Sequence, residues 1–447
     1  MDPERAQVYP FISRPGATPL VIERTEGAYL ITAGGQRILD AAGGAIVINI
    51  GHGRQEVAEA FVRGATEATY VVPPFATERR VRLVERLREH WLPSELTRVV
   101  FTSGGSESMD AAIRLARQHH VSAGRPQRWK VIGRDLSYHG TTLATLAIGG
   151  HLKRRVGFEP WLTPLPKAPA CYCLRCPLAL RYPDCAVACA DALEDVIERE
   201  GEDTIAAFVA EPIVGSTAGA VVPPDEYWPK IAEICRRHGV LLIADEVMTG
   251  FGRTGRRFAV EHWNVVPDIL VGGKGLTGGY APMGAIFARE EVVAPIAERG
   301  DELMFYTYSA HSGCCAVADK VLEIMEREQL VERAATMGQR LRERLSALES
   351  HPNVAQIRGR GLLLGVELVK DRNTLEPFPK ETGLTTKVVV AALGEGTFFY
   401  PGGCDPARDV ITVGPPFIIT DDDVERIAIS LERAITTAVS WVTPCAA

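Results

Sequence analysis

Apolar and polar positions alternate along the chain in blocks that change period three times. Near the N-terminus, EGAYLITAGGQRILDAAGG holds two short apolar stretches separated by Gly34-Gly35, a pattern that predicts a β-hairpin. From Gln55 the spacing becomes helical. It then alternates between helices and short apolar runs as far as about residue 310. The runs are RVVFTS (98–103), KVIGRD (130–135), AAFVAEP (206–212), VLLIADEV (240–247), DILVGG (268–273) and GAIFAR (284–289). Strands separated by helices predict a mostly parallel sheet with helices on both faces, an α/β architecture. Past residue 310 the pattern predicts one long helical stretch (about 315–350), the segment IRGRGLLLGVELV and a last helix, DDDVERIAISLERAITTAV. That block reads as a separate α+β lobe joined through a helix. The sequence contains no repeats or low-complexity tracts.

Composition narrows the function classes. The 447 residues are 46% hydrophobic and 23% charged, ordinary for a globular chain. Lys and Arg total 49 against 56 Asp and Glu, a net charge of −7, with no basic patch of the kind nucleic acid requires. The opening segment MDPERAQVYPFISRPG lacks a charged start followed by an apolar core, and no run of about 18 apolar residues follows. The expectation is a cytoplasmic protein without a membrane span. Of ten cysteines, five cluster in CYCLRCPLALRYPDCAVAC: Cys171, Cys173, Cys176, Cys185 and Cys189. Zinc, an iron–sulfur cluster and, in an oxidising compartment, disulfides compete there with a Pro-punctuated loop that packs its thiols as small apolar groups. The spacings match no standard structural zinc pattern, so no metal is expected.

The chemistry gathers where predicted strands end, the edge at which open α/β sheets bind ligands. VVFTSGGSESMDAAIRLARQHH reads as strand, turn and helix, with Met109, Ala112, Ile113 and Ala116 as the apolar stripe. Gly104 and Gly105 permit a tight bend. Ser106 stands at the helix start, where free N–H groups favour an anion. This is either a phosphate cup or an ordinary Ser-capped helix. VLLIADEV ends in Asp245-Glu246, and a buried carboxylate there needs a cation. A magnesium-binding strand end for phosphoryl transfer requires a G-x-x-x-x-G-K-[S/T] loop. The nearby DILVGGKGL lacks the first glycine and has Gly275 in place of the hydroxyl residue. A carboxylate paired with a protonated pyridine nitrogen suits Asp245 better. Lys274, between Gly273 and Gly275 at another strand end, is either a desolvated nucleophilic amine or a surface lysine in a loop.

With SGGSES, SYHG, AEPIVGS, LLIADEVMTGFGRTG, PDILVGGKGLTGGYAPMGA, TYSAHS and IRGRGLLLGVEL in this order, the chain resembles the class III aminotransferases over essentially its whole length. This is the acetylornithine, GABA and ω-amine transaminase group. The resemblance implies the type I fold of pyridoxal 5′-phosphate (PLP) enzymes. Residues 61–310 would form the large PLP-binding domain, 1–60 the N-terminal part of a small domain, and 311–447 the connecting helix and the rest of it. It also implies a ping-pong transaminase moving an amino group between an amine or amino acid and a keto acid or aldehyde.

By the same resemblance Gly105 and Ser106 bind the cofactor phosphate and Tyr138 stacks on its ring, with His139 beside it. Glu211 lies near cofactor and substrate, Asp245 holds the pyridinium proton, and Val247 packs on the other ring face. Lys274 is the Schiff-base lysine and general base, so Lys274, Asp245 and Tyr138 form the catalytic set. Thr307 reaches the phosphate of a neighbouring subunit, which implies a homodimer. Tyr138 as plain core and Glu211 as a structural strand-end acid stand beside these roles.

The chain departs from the family at the cup, where Ser103 replaces the usual Asn, and at Ala310-His311-Ser312 in place of Gly-His-Pro. In VITVGPPF, Thr412 stands where acetylornithine- and GABA-type members carry a carboxylate-binding Arg. The amine:pyruvate or specialised biosynthetic branches are favoured accordingly. Arg408 is then the candidate for a substrate carboxylate, against a solvated surface Arg. The same cofactor motifs also serve aminomutases, racemases, decarboxylases and enzymes that form carbon–carbon bonds, because the pocket selects which bond breaks. A non-catalytic protein that has kept the fold is the third class, disfavoured by the presence of Lys274, Asp245 and the cup.

Overall fold

The computed structural model describes residues 20–303 and 305–443. The opening segment examined for a leader, the first nineteen residues of the 1–60 block and Cys445 lie outside the described residues. Six strands form where the apolar runs predict them and join a short seventh, Lys167–Ala168, in one sheet. Its spatial order is Arg98–Thr102, Gly284–Ala288, Ile269–Gly272, Leu241–Asp245, Ile205–Ala210, Lys130–Arg134 and Lys167–Ala168. All pairings are parallel except those of Gly284–Ala288, which runs antiparallel to both neighbours.

The sheet is covered on both sides, and residue parity shows how. Val131, Ala207, Val209 and Ile243 pack with Met109, Ala112 and Ala116 of the helix Gly105–Ser122. Their neighbours Ile132, Phe208 and Leu242 pack on the opposite face against Leu193 and Ile197 of Ala188–Glu200 and Trp228 and Ile231 of Tyr227–Arg237. Successive strand side chains point to opposite faces, so strands apolar at every position are what two covered faces require. On Gly105–Ser122 the buried stripe runs through Ser108, Met109, Ala112, Leu115 and Ala116, while Ile113 is only half-buried. The face is turned towards Ser108 because that hydroxyl meets Thr102 Oγ1 at 2.7 Å beneath the helix.

The expected hairpin pairs Tyr29–Thr32 with Arg37–Asp40, and Thr397–Phe398 from the far end of the chain pairs in parallel with the latter strand. Ile22–Glu26 completes that sheet beside Tyr29–Thr32, and a second four-stranded sheet joins Val354–Arg360, Leu363–Leu368, Ala407–Val413 and Tyr400–Cys404. The last helix, Asp421–Ser440, starts at a Thr420–Asp423 capping box. The long helix expected over 315–350 is instead two, Ser312–Arg327 and Leu330–Leu345. The break falls at Gln329, in the left-handed region (φ 50°), beside Glu328, which Arg54 grips at 2.7 Å. With neither Gly nor Pro at the break, periodicity reads straight through it.

Among the described residues no helix is long and apolar enough to cross a membrane. The nine described cysteines are free thiols, and no group of three His, Cys, Asp or Glu is arranged there to hold a metal.

Candidate active site

Five segments at or just past the ends of strands of the large sheet meet at its carboxyl edge. Gly105 and Ser106 follow Arg98–Thr102; Tyr138 and His139 follow Lys130–Arg134; Glu211 follows Ile205–Ala210. Asp245 ends its own strand and is in register with Val271 of the neighbouring strand, which leads to Lys274. Together with Val247 these residues line one cavity of about 170 Å³. Eight of the ten residues that the sequence nominates therefore converge. A larger groove, about 1010 Å³, lies elsewhere beside Arg256, Glu326 and Arg342 and contains none of them.

Burial sets the electrostatics. It pushes the Lys274 ammonium down to about 8, against the opposing pull of Asp245 and Glu211. Lys274 also holds a positive φ of 41°, uncommon for a non-glycine residue and concentrated at functional positions. Asp245 Oδ2 lies 2.7 Å from His139 Nδ1, while its Oδ1 accepts from the Val247 amide at 3.1 Å. The acid is thus held at two points. Its sequence neighbour Glu246 turns away: it accepts from the Val260 amide at 2.8 Å and from Thr249 Oγ1, and burial lifts its pKa to about 7. Glu211 is buried, with its pKa raised by that burial. Its carboxylate accepts from the amides of Tyr138 (3.1 Å) and Gly215 (2.9 Å), and Arg134 Nη2 donates to its carbonyl at 2.8 Å. Glu211 thereby fixes the backbone that carries Tyr138.

The residues fit a flat, phosphate-bearing ring. The helix Gly105–Ser122 begins without a side-chain cap, leaving first-turn N–H groups for an anion. A Cβ at Gly105 would stand 2.7 Å from Val247 Cγ1, so the cup is open only because that residue is glycine. His139 Nε2 is buried without a partner among the described residues. Aromatic Tyr138 and branched Val247 both face the cavity.

Two nominated residues stand apart. Thr307 is exposed and does not line this cavity. Arg408 borders a second cavity, and its guanidinium is already engaged. It donates to Asp405 Oδ1 at 2.8 and 2.7 Å and to the Phe378 carbonyl at 2.9 Å. The hairpin binds this guanidinium outside the cofactor cavity, so a substrate carboxylate would have to compete with Asp405 for it. Sequence reasoning passed over Arg154, whose Cζ lies 4.4 Å from the centre of the Tyr138 ring. Nothing in HLKRRV separates it from a solvated basic turn. Met248 and Thr249, which also line the cavity, were hidden inside a motif read for its acid.

The family model described as Aminotransferase class-III matches residues 12–435. An uncharacterised aminotransferase of Bacillus subtilis, YhxA, is 36% identical over 94% of this chain and 93% of its own. A putrescine–pyruvate aminotransferase of Pseudomonas aeruginosa is 35% identical over 92% and 89%. The ω-transaminase of Pseudomonas jessenii, solved in complex with PMP, superposes with a TM-score of 0.93 at 33% identity, covering 99% of each chain.

Proposed function

The chain belongs to the class III aminotransferases and catalyses PLP-dependent transamination; from that premise we propose that Lys274 is its cofactor-linking lysine and proton carrier. The observation that carries this reading is the meeting of a buried, pKa-lowered Lys274 with the doubly held Asp245 in one cavity. When bound, the cofactor supplies an electron sink for the carbanion left as a substrate C–H bond breaks. Ser106 and the free amides of its helix turn hold the phosphate. Asp245 keeps a proton on the ring nitrogen, and His139 and the Val247 amide fix the carboxylate for that task. Tyr138 and Val247, both lining the cavity, would pack against the ring and exclude water. Lys274, whose ammonium burial holds near 8, would link the cofactor and supply the amine that takes the proton from the amine-bearing carbon.

The donor in this reading is a primary amine and the acceptor a keto acid. Thr412, fully buried on its strand, offers a hydroxyl where a carboxylate-binding arginine would favour an acetylornithine or GABA substrate. The putrescine–pyruvate relative supports the same branch. The enzyme acts as a cytoplasmic homodimer. Exposed Phe61, Val62, Tyr70, Phe75 and Tyr308 supply apolar surface for the interface. Tyr70 and Tyr308 already pair edge-on at 6.4 Å, next to Thr307, which this assembly would carry to the partner's cofactor phosphate.

Visible absorbance of the cofactor-loaded enzyme tests the assignment. A yellow band absent from Lys274→Ala, and bleached by a primary amine with stoichiometric carbonyl product, is the expected result. A band that survives in Lys274→Ala refutes the role of that lysine.

A further inference from the structure

Five cysteines cluster between the strand Lys167–Ala168 and the start of the helix Ala188–Glu200, and none of them lines the cofactor cavity. Cys173, Cys176, Cys185 and Cys189 line a separate cavity of about 20 Å³, together with apolar side chains such as Leu178 and Leu180. Cys171 is buried in the adjoining core, and Cys189 packs against that same core. Packing as a small apolar group accounts for Cys171. It does not account for the charges around Cys189.

Two sources of positive charge reach that sulfur. Arg134 ends its strand two residues after Ile132, so its side chain enters the sheet face that Ala188–Glu200 covers. The guanidinium is 1% exposed, its Nη2 donates to the Glu211 carbonyl at 2.8 Å, and its Nε has no partner among the described residues. A buried cation requires an anion nearby. The Glu211 carboxylate is turned to the amides of Tyr138 and Gly215. Tyr227, whose ring centre lies 5.8 Å from Arg134 Cζ, stays neutral because burial pushes its hydroxyl up. The thiols of Cys171 and Cys189 are the other ionisable groups in the reach of Arg134. The second source is the helix itself. Cys189 is its second residue, and no side chain caps it, so the amides of Cys189 and Ala190 act on the sulfur.

These neighbours divide the pair. A hydrogen bond from Cys171 draws the Cys189 thiol down, against burial, and Arg134 and the two amides add to the pull. The same bond, with burial, holds the Cys171 thiol up. One sulfur is prepared to attack while its neighbour keeps a proton.

We propose that Cys189 and Cys171 form a peroxide-reactive dithiol, with Cys189 as the attacking sulfur and Cys171 as the resolving one. Cavity size selects the oxidant. A space of about 20 Å³ admits a molecule the size of water or hydrogen peroxide and excludes glutathione disulfide. The Cys189 sulfur attacks one peroxide oxygen, the O–O bond breaks, and the other oxygen leaves as water with the thiol's proton. The Cys171 sulfur then displaces the hydroxyl from the Cys189 sulfenic acid, and its own proton leaves with that hydroxyl as a second water. The two thiols lose two electrons and the peroxide gains them, so one hydrogen peroxide gives one disulfide and two waters.

The test treats reduced, cofactor-loaded enzyme with hydrogen peroxide, in wild type, Cys171→Ala and Cys189→Ser. Remaining thiols are alkylated, and tryptic peptides are read by mass spectrometry. Residues 168–175 and 182–199 fall in separate tryptic peptides. In wild type these two should be joined by a Cys171–Cys189 bond, assigned by fragmentation and removed by dithiothreitol. Cys171→Ala should stop at the Cys189 sulfenic acid, captured by dimedone roughly tenfold faster than exposed Cys173 reacts. Cys189→Ser should leave Cys171 reduced at the same dose. Glutathione disulfide should join the two peptides far more slowly than peroxide does. A first bond through Cys173, Cys176 or Cys185 overturns the proposal, as does dimedone capture at Cys173 before Cys189. Equal linking by glutathione disulfide also overturns it, because the cavity would then select nothing. The wild-type bond requires no substitution, so its presence or absence decides the matter even if a variant misfolds.

Discussion

Gly105→Ala probes the cup with a collision whose size is known. The added methyl would lie 2.7 Å from Val247 Cγ1 and 3.3 Å from Cγ2, where carbon atoms prefer about 3.5–4.0 Å. Val247 must withdraw by roughly 1 Å. Its branched side chain has few rotamers, and its amide is tied to Asp245 at 3.1 Å. The free direction is into the cavity, where the cofactor ring would lie. Overpacking of this kind costs about 1–3 kcal/mol, which corresponds to roughly 5- to 150-fold weaker PLP binding when the strain falls on the loaded state. Cofactor-free protein should keep its Tm, because alanine favours a helix start and Val247 then has room to move. The assay is an absorbance titration of cofactor-free enzyme with PLP. Val247→Ala removes the colliding methyls, so the double variant should bind PLP no more weakly than Val247→Ala alone. Binding by Gly105→Ala within about twofold of wild type, or two defects that simply add, would refute the geometry.

Three more outcomes follow from the site and its surroundings. In cofactor-free enzyme the rate at which Lys274 captures PLP should rise about tenfold per pH unit and level off near pH 8, since burial lowers the ammonium pKa and only the neutral amine attacks; a plateau near pH 10 contradicts this. Glu246 ionises near 4.5 when unfolded and near 7 when folded, so the unfolded chain loses its proton first as pH rises. Folding stability should therefore drop by about 3 kcal/mol between those pH values, and Glu246→Gln should flatten that slope in urea titrations; parallel slopes would count against it. If the proposed dimer forms through the exposed apolar surface, Phe75→Glu should shift sedimentation from dimer towards monomer and lower PLP affinity through loss of the proposed Thr307 contact; unchanged sedimentation removes that face from the interface.

Much of the fold was legible because six of the seven strands of the large sheet are short, mostly apolar runs, as a sheet covered on both faces requires. The strand ends were equally legible: Asp245 and Lys274 each interrupt or follow such a run, so their place at the carboxyl edge comes from the pattern itself. What sequence could not show was direction and occupancy. Asp245 and Glu246 are adjacent acids, and only the turn after the strand sends one to the cavity and the other beneath Val260. Arg408 is a plausible free arginine on paper, and what occupies it is Asp405, three residues away, through a hairpin register that periodicity does not encode. The break at Gln329 is hidden for a related reason: a left-handed turn by a non-glycine residue leaves no mark on the apolar spacing.

The parallel sheet also sets when the site can exist. Residues 138, 211, 245 and 274 are drawn to one edge by parallel strands that each need a crossover, and 105 joins them through Gly284–Ala288, which pairs antiparallel with the strands before 105 and 274. No early local event during folding brings two of these five together, and contacts so distant along the chain form slowly. A nascent chain that stops short of Lys274 has no pocket, however well its first helices have packed. Cofactor capture is thus a late signal that Gly284–Ala288 has paired and joined the cup to the rest of the edge. Because PLP binds only the closed state, its binding energy is added to the stability of the whole sheet.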